Sequence, residues 1–341
     1  MEDMAARRAR RAVYVSVLLL VLAFLVILVS MNTGTIRLSM AAIFRTLAGY
    51  GSADEKLIMF DYRLPRIIIT ILSGIGLGVA GAVMQGVSRN SLADPGIIGI
   101  NAGAALGLIV FVSFFRTLEG PGVLMIPLFT FVGGMGIAFI IFILSYDRYR
   151  GLLPIRLILT GIAVAAGCSA VTLLLSLRLD EATYTFAARW LAGNVWGRDW
   201  VHVWTLLPWI VLLVPFIYSR STVLDLFSLG DNIASGLGSQ VTRNRLLMLS
   251  SAVALSCVSV SMAGGIGFIG LVSPHIARHL VGPRHRHFLP VTAIVGLVIL
   301  VTADTVGRSI FHPNAIPAGV VVAAIGGPYF IYLLFRSRAH D

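Results

Sequence analysis

The chain is written in long apolar runs separated by short polar ones. Residues 13–30, 67–87, 123–145, 157–177, 201–218, 246–263, 288–306 and 316–335 are each nearly free of charge. A helix rises about 1.5 Å per residue and the hydrocarbon core of a bilayer is roughly 30 Å thick, so about 20 apolar residues make a span. Residues 96–115 and 266–280 are shorter or richer in glycine. The pattern predicts about ten membrane-spanning helices and an all-α polytopic fold, with residues 1–341 as a single transmembrane domain. The strands of a membrane barrel would instead alternate polar and apolar positions. Within the second run, Gly74, Gly78, Ala82 and Gly86 recur every fourth residue. On a helix they form one smooth stripe that lets a neighbouring backbone come close.

One stretch interrupts the pattern. Gly86 to Gly107 reads GVSRNSLADPGIIGINAGAALG. Non-helical backbone is tolerated in lipid only where protein covers it or water reaches it. Arg89 to Gly96 is read as a tight cytoplasmic turn, with Pro95 in the first turn of the next helix. The small residues that follow either pack against a neighbour or line a cavity.

Composition agrees with the run lengths. The chain is 57% hydrophobic and 12% charged, its mean hydropathy is +0.92, and a soluble domain carries about 25% charge. The net charge of +11 could suggest nucleic acid, but in a membrane protein basic residues hold loops on the cytoplasmic side. MEDMAARRARR lacks a following small-residue cleavage site and is read as the inner flank of a retained first span. Alternation from there puts sixteen of the 26 basic residues inside. It also puts both termini inside, residue 339 with them, and residue 119 outside. Lipid is then a partner and nucleic acid is not. Cys168 and Cys257 fall within spans and read as small apolar residues, not as a disulfide.

Several chemical signals are weak. Gly76, Gly78 and Gly81 match a dinucleotide fingerprint, but no strand precedes them. His275 and His279 have the spacing of zinc ligands on a helix, yet Ile276 stands where a zinc hydrolase needs Glu; with Arg278, Arg284 and Arg286 they read as a basic rim. No metal site and no catalytic residue is assigned. Lys56 is the only lysine and no phosphate-binding GK[ST] exists, so any ATP-driven role needs a separate ATPase. An ion-coupled carrier keeps ionisable groups in mid-membrane; of the 15 acidic residues, only Asp304 lies well within a span.

The run RLPRIIITILSGIGLGVAGAVMQGVSRNSLADPGIIGINAGAALG (63–107) resembles the signature of FecCD-type permeases, the membrane subunits of ABC importers for ferric siderophores, haem and cobalamin. LGDNIASGLG (229–238), AGGIGFIGLVSPHIARHLVG (263–282), ADTVGR (303–308) and IPAGVVVAAIGGPYFIYLL (316–334) resemble later blocks of that family, in order. Two positions depart from the pattern: Ser91 stands where Pro usually follows Asn, and Ala315 where an acidic residue usually precedes Ile-Pro.

The resemblance implies a permease for a ferric siderophore, with haem or cobalamin as the alternative cargo. An ion-coupled carrier, and behind it an intramembrane enzyme, are the readings from other classes. It implies two permease subunits, identical or paralogous, two ATPases on the cytoplasmic side that hold ATP and Mg, and an extracytoplasmic binding protein; the permease itself binds no cofactor. Within the polar segment 219–245, Gly230, Asp231, Ala234, Leu237 and Gly238 are the expected coupling residues. Gln85, Asn101, Gly103, Gly264 and Gly267 are the expected path residues. Arg63, Arg66 and Arg308 are expected on the outer face, against the positive-inside bias. Two causes stand open: snorkelling at lipid headgroups, or, as the family suggests, docking of acidic residues of the binding protein.

Overall fold

The computed structural model describes residues 2–34, 38–115, 124–147, 151–152, 154–310 and 315–338. Residues 119, 148, 150 and 339, which enter the expected topology, lie outside the described residues. In chain order the helices are α1 (Glu2–Asn32), α2 (Met40–Leu47) and α3 (Ala53–Lys56), which runs through a π-helical turn (Leu57–Arg63) into α4 (Leu64–Ser88). A 3-10 turn (Pro95–Ile98) precedes α5 (Ile100–Phe115) and α6 (Ile126–Ser145). A two-residue β pairing, Tyr146–Asp147 with Gly151–Leu152, leads to α7 (Pro154–Ser176), α8 (Glu181–Leu191) and α9 (Trp200–Ser219). Then come α10 (Ser221–Ser228), α11 (Asp231–Gly236), α12 (Val241–Ala263), α13 (Ile269–Val281), α14 (His285–Ser309) and α15 (Ala318–Arg338).

The ten expected spans correspond to α1, α4, α5, α6, α7, α9, α12, α13, α14 and α15. Seven of them are long and apolar enough to cross a bilayer; α5, α13 and the described apolar part of α15 are shorter. Short helices α2, α3, α8, α10 and α11 fill the ends, each with a local reason to form. Ser52 and Glu55 make a reciprocal capping box on α3, and Arg45 on α2 pairs with Glu55 at 2.6 Å. Asp180 caps α8 and Asp199 caps α9.

Helix α4 is the centre. It packs against α14, α12, α13 and α9 and is largely buried, whereas α1 and α7 turn most of their surface outward. Its glycines explain how so many neighbours fit. A Cβ on Gly74 would meet the Gly296 carbonyl at 2.6 Å, and one on Gly78 the Thr292 carbonyl at 3.0 Å, so the expected stripe lies against α14. Gly76 faces Ser259 of α12, and Gly81 faces Gly270 of α13. The apparent nucleotide fingerprint is therefore two further packing faces. Hydroxyls inside the bundle bond to carbonyls one turn back, as Thr70 does to Arg66 (2.7 Å), Ser259 to Leu255 (2.7 Å) and Thr292 to Phe288 (2.8 Å). Each thereby avoids the cost of an unmet polar group in an apolar medium.

Candidate functional site

At the interrupted stretch, α4 ends on Arg89, whose φ of 53° is left-handed. Asn90 Oδ1 accepts the Leu92 N–H at 2.9 Å, and Asp94 Oδ1 accepts the Gly96 N–H at 2.7 Å. Arg89, Asn90 and Ser91 are exposed, as a surface turn would be, but Ala93, Asp94 and Pro95 are buried. The second half of the supposed turn folds back into the bundle. The Asp94 carboxylate lies beside Gly270, and Gly270 lies beside Leu77 and Gly81, halfway along α4. The sequence hid this because a polar turn and a polar re-entry use the same residues.

A second irregular segment meets it there. Helix α13 has 13 residues, about 20 Å at 1.5 Å per residue, short of the roughly 30 Å core. Its approach, residues 264–268, is non-helical. Phe268 sits at its N-cap with φ 66°, a left-handed conformation that costs a bulky residue on the order of 1–3 kcal/mol. The two segments enclose a cavity of about 340 Å³ lined by Asp94, Gly96, Asn101, Gly267, Phe268 and Phe330, among others.

Of the expected path residues, Asn101 and Gly267 line this cavity. Gln85 is buried beside it, donating to the Leu271 carbonyl at 3.3 Å. The Gln85 Oε1 and Asn101 Oδ1 atoms are buried with no hydrogen-bond partner among the described residues. The other two glycines are placed differently. A Cβ on Gly103 would meet the Gly133 carbonyl at 2.6 Å, so Gly103 lets α5 touch α6. Gly264, with φ 82°, abuts the Trp190 carbonyl. Asp94, Gly96, Phe268, Leu271 and Phe330 are cavity residues absent from the expected path set. Asp94 looked like a turn residue, and no sequence signal marks a left-handed Phe.

At the opposite end, Gly230 (φ 98°) starts α11. Asp231 is held by Arg89 at 3.1 Å and Arg245 at 2.7 Å, and Arg245 also lies over the Phe227 ring at 5.7 Å. The expectation of Ala234 as a coupling residue that meets a partner is corrected here: Ala234 is 0% exposed, already packed within its own chain. The outward residues are Leu229, Ile233 and Leu237, at 52, 56 and 63% exposure. Their spacing of four was the available signal, and only Leu237 had been picked from it. Gly236 and Gly238 have open space around them, and Gly238 (φ 84°) ends the segment.

The three arginines expected on the outer face do come together, but inward. Arg66 binds Asp304 with Nε at 3.1 Å and Nη2 at 2.6 Å. Arg308 Nη1 donates to the Thr33 carbonyl at 2.8 Å and Nη2 to Ser30, while its Nε lies 3.5 Å from Asp304. Arg63 donates to the Met31 carbonyl. Gly34 leaves room for both Arg63 and Arg308. Arg63 is buried and the Arg66 and Arg308 side chains are 15 and 8% exposed. The expectation of projecting cations, at headgroups or at a partner, is thus corrected: the guanidiniums tie α1, α4 and α14 together. Unmet carbonyls at the end of α1 and one buried carboxylate attract them inward.

The sequence pattern of the FecCD transport family matches residues 19–336. The chain is 42% identical over 328 residues to the iron(3+)-hydroxamate import system permease protein FhuG of Bacillus subtilis, covering 95% of this chain and 96% of that one. It is 40% identical to the Fe(3+)-citrate import system permease protein YfmE of the same organism (97 and 98% coverage) and 38% to the Fe(3+) dicitrate transport system permease protein FecD of Escherichia coli (84 and 87%). Among solved structures, a metal-chelate type ABC transporter in an inward-facing conformation superposes with a TM-score of 0.83 at 29% identity, covering 95% of this chain and 99% of that one.

Proposed function

The chain belongs to the FecCD transport family, and from that premise we propose that it is the permease subunit of an ATP-binding-cassette importer that carries a ferric siderophore or related ferric chelate across the cell membrane. It is a multi-pass membrane protein. The observation that carries the reading is the meeting of two breaks in the α-helical bundle, 93–99 with its 3-10 turn and the non-helical 264–268, beside a cavity at mid-depth. Irregular backbone at that depth is the mark of a solute path. Asp304, the acid an ion-coupled carrier would use, is instead occupied by Arg66 and Arg308.

In this reading two permease subunits enclose the path. ATP and Mg reside on separate ATPases, seated on the ridge of Leu229, Ile233 and Leu237. Gly230 and Gly238 flank α11 within that ridge, and the Asp231 ion pairs hold it to Arg89, five residues before Asp94. Both termini and α11 face the cytoplasm. At the outer end the arginine cluster carries three guanidiniums against one carboxylate, a net positive field that attracts an acidic binding protein without needing exposed pairs. Support for the cargo comes from the ferric hydroxamate and ferric citrate permeases it resembles.

The test is complementation. Cells lacking their own ferric-chelate permease receive this chain with its ATPase and binding protein, and ⁵⁵Fe uptake is followed from ferric citrate and ferric hydroxamates. Energised uptake is expected; uptake independent of the ATPase would overturn the reading. Orientation is checked with an impermeant thiol reagent on intact cells: Trp196→Cys is expected to label and Leu237→Cys to stay protected.

A further inference from the structure

A larger cavity lies at the arginine-cluster end, away from the Asp94 cavity. It measures about 800 Å³, within the range of roughly 300–1,000 Å³ typical of sites for small organic ligands. Its wall is α8 and residues 192–199, an element tied to the rest of the bundle. Gly265 N–H donates to the Trp190 carbonyl at 3.2 Å, and Gly319 N–H to the Gly193 carbonyl at 3.0 Å. Trp200 Nε1 reaches the Phe60 carbonyl at 2.9 Å. The wall therefore abuts the 264–268 segment that lines the small cavity.

The polar atoms of this wall are unevenly engaged. Asp180 caps its own helix, accepting from the Thr183 N–H at 3.1 Å and hydroxyl at 2.8 Å, and remains an exposed carboxylate. Asn194 Oδ1 is used up by the Trp196 N–H at 3.0 Å, which leaves the amide N–H groups. Arg198 is 9% exposed; it makes no direct ion pair among the described residues, though the neighbouring Asp199 carboxylate acts on its charge. Its Nη1 donates to His202 Nε2 at 3.2 Å, which requires His202 to carry its hydrogen on Nδ1, facing Asp199 at 2.6 Å. Arg198 Nε and the nearly buried Trp190 Nε1 have no partner among the described residues. Arg189 forms no ion pair among them either. The unspent N–H capacity lies on Arg189, Arg198 and Trp190, and Asp180 and Glu181 are the two acids at the other end of the lining. Phe186 and the 69%-exposed Trp196 supply aromatic surface beside it.

We propose that this cavity is an entry station for an anionic, oxygen-rich ferric chelate, its carboxylates received by Arg189 and Arg198 and its body laid on Trp196. Arginine's planar fork matches a carboxylate, and a wall with spare donors is stabilised by a ligand rich in acceptors. The smaller cavity, less than half the volume, receives the cargo only after the bundle opens. An anionic lipid headgroup offers the same oxygen chemistry and is separated below. The inference rests on the permease reading, and its test does not share that reading's fate.

Ferric citrate is titrated against the purified permease in zwitterionic nanodiscs, with tryptophan quenching and bound ⁵⁵Fe as readouts and ferrioxamine, a hydroxamate, as counter-probe. Saturable binding of ferric citrate is expected, stronger than that of ferrioxamine. Arg189→Gln and Trp196→Ala, both at exposed positions, should each weaken it about tenfold, and Arg198→Lys should weaken it while retaining the fold. No saturable binding, or wild-type affinity in Arg189→Gln and Trp196→Ala, overturns the station. If phosphatidylglycerol nanodiscs abolish the ferric citrate signal, and Arg189→Gln removes that lipid effect, the anion is a headgroup and the chelate assignment falls. Should binding depend on Arg189 while complemented cells take up no ferric chelate, the permease reading fails and the station stands.

Discussion

Asp304 shows how one side chain decides a local structure. Its carboxylate is 2% exposed and is met by Arg66 and Arg308. Removing one partner of a buried pair typically costs about 3–5 kcal/mol because the other charge is left stranded. Arg308 stays near Asp304, so Arg66→Ala is expected at the lower end, about 3 kcal/mol. The double change Arg66→Met, Asp304→Leu should recover most of it. Thermal unfolding in detergent checks this, and a double variant less stable than Arg66→Ala would refute the account. A second residue-scale case lies at the α11 end. Asp225 of α10 accepts from the His285 backbone N–H at 2.9 Å and ring Nδ1 at 2.6 Å. Burial pushes its pKa up, but the His285 bonds outweigh that and hold it below the ordinary carboxylate value. A depressed pKa adds stability that is complete above the unfolded value of about 4 and drains as pH falls through the folded one. The wild-type melting temperature should therefore fall more steeply than that of Asp225→Asn as pH drops below about 4, with the two profiles parallel between pH 5 and 8 where the carboxylate stays charged.

Among elements, the long apolar helices were legible and the short or broken ones were not. Run length alone located α1, α4, α6, α7, α9, α12 and α14, because a bilayer imposes a length. It could not tell that α13 starts halfway across, since loop residues such as Ile266 and Phe268 are as apolar as the helix they precede. It also could not tell which of many glycines line a path. Gly267 borders the small cavity and Gly103 packs against Gly133, and only the neighbouring backbone distinguishes them. Gly81 makes the packing case testable. A Cβ there would overlap the Gly270 carbonyl, and backbone cannot step aside as a flexible side chain can. Gly81→Ala is expected to cost at least 1–3 kcal/mol as an overpacking change, read as lost yield of monodisperse protein, whereas Gly136→Ala, with nothing within 4 Å, should be silent. For α11 the contrast is between faces. Ile233→Glu and Leu237→Glu should leave folding intact but abolish co-purification of the ATPase. Ala234→Arg should lower the melting temperature itself, since it forces a charge into a site already filled. A normally folded Ala234→Arg protein would mean that α11 is seated differently.

For the whole molecule, two ends are built on opposite charge logic. The α11 end keeps Arg89, Arg220, Arg243, Arg284 and Arg286 on the surface, and the buried Arg245 shares Asp231 with Arg89. The other end draws three guanidiniums inside, around one carboxylate. Both ends connect to the mid-depth cavity, one through the five residues from Arg89 to Asp94 and the other through the Trp190–Gly265 contact. The family resemblance in the sequence reached the all-helical permease fold. The inner wiring of the two ends depends on pairs far apart in the chain, which a linear pattern does not reveal.

The Arg66–Asp304 pair, whose members are 238 positions apart, also has a consequence in time. Synthesis proceeds at about 5–20 residues per second, so Arg66 waits on the order of ten to fifty seconds after its own translation before its carboxylate is made. Throughout that interval the nascent chain carries a cation that its final location will not leave in water. A half-made chain is thus chemically marked as unfinished, and the late arrival of α14 erases the mark. In a pulse-chase experiment, a chain truncated after residue 284 should be degraded faster than the full-length protein, and Arg66→Gln in the truncated chain should lengthen its life. Equal lifetimes for the two truncated chains would show that the waiting arginine is not what quality control reads.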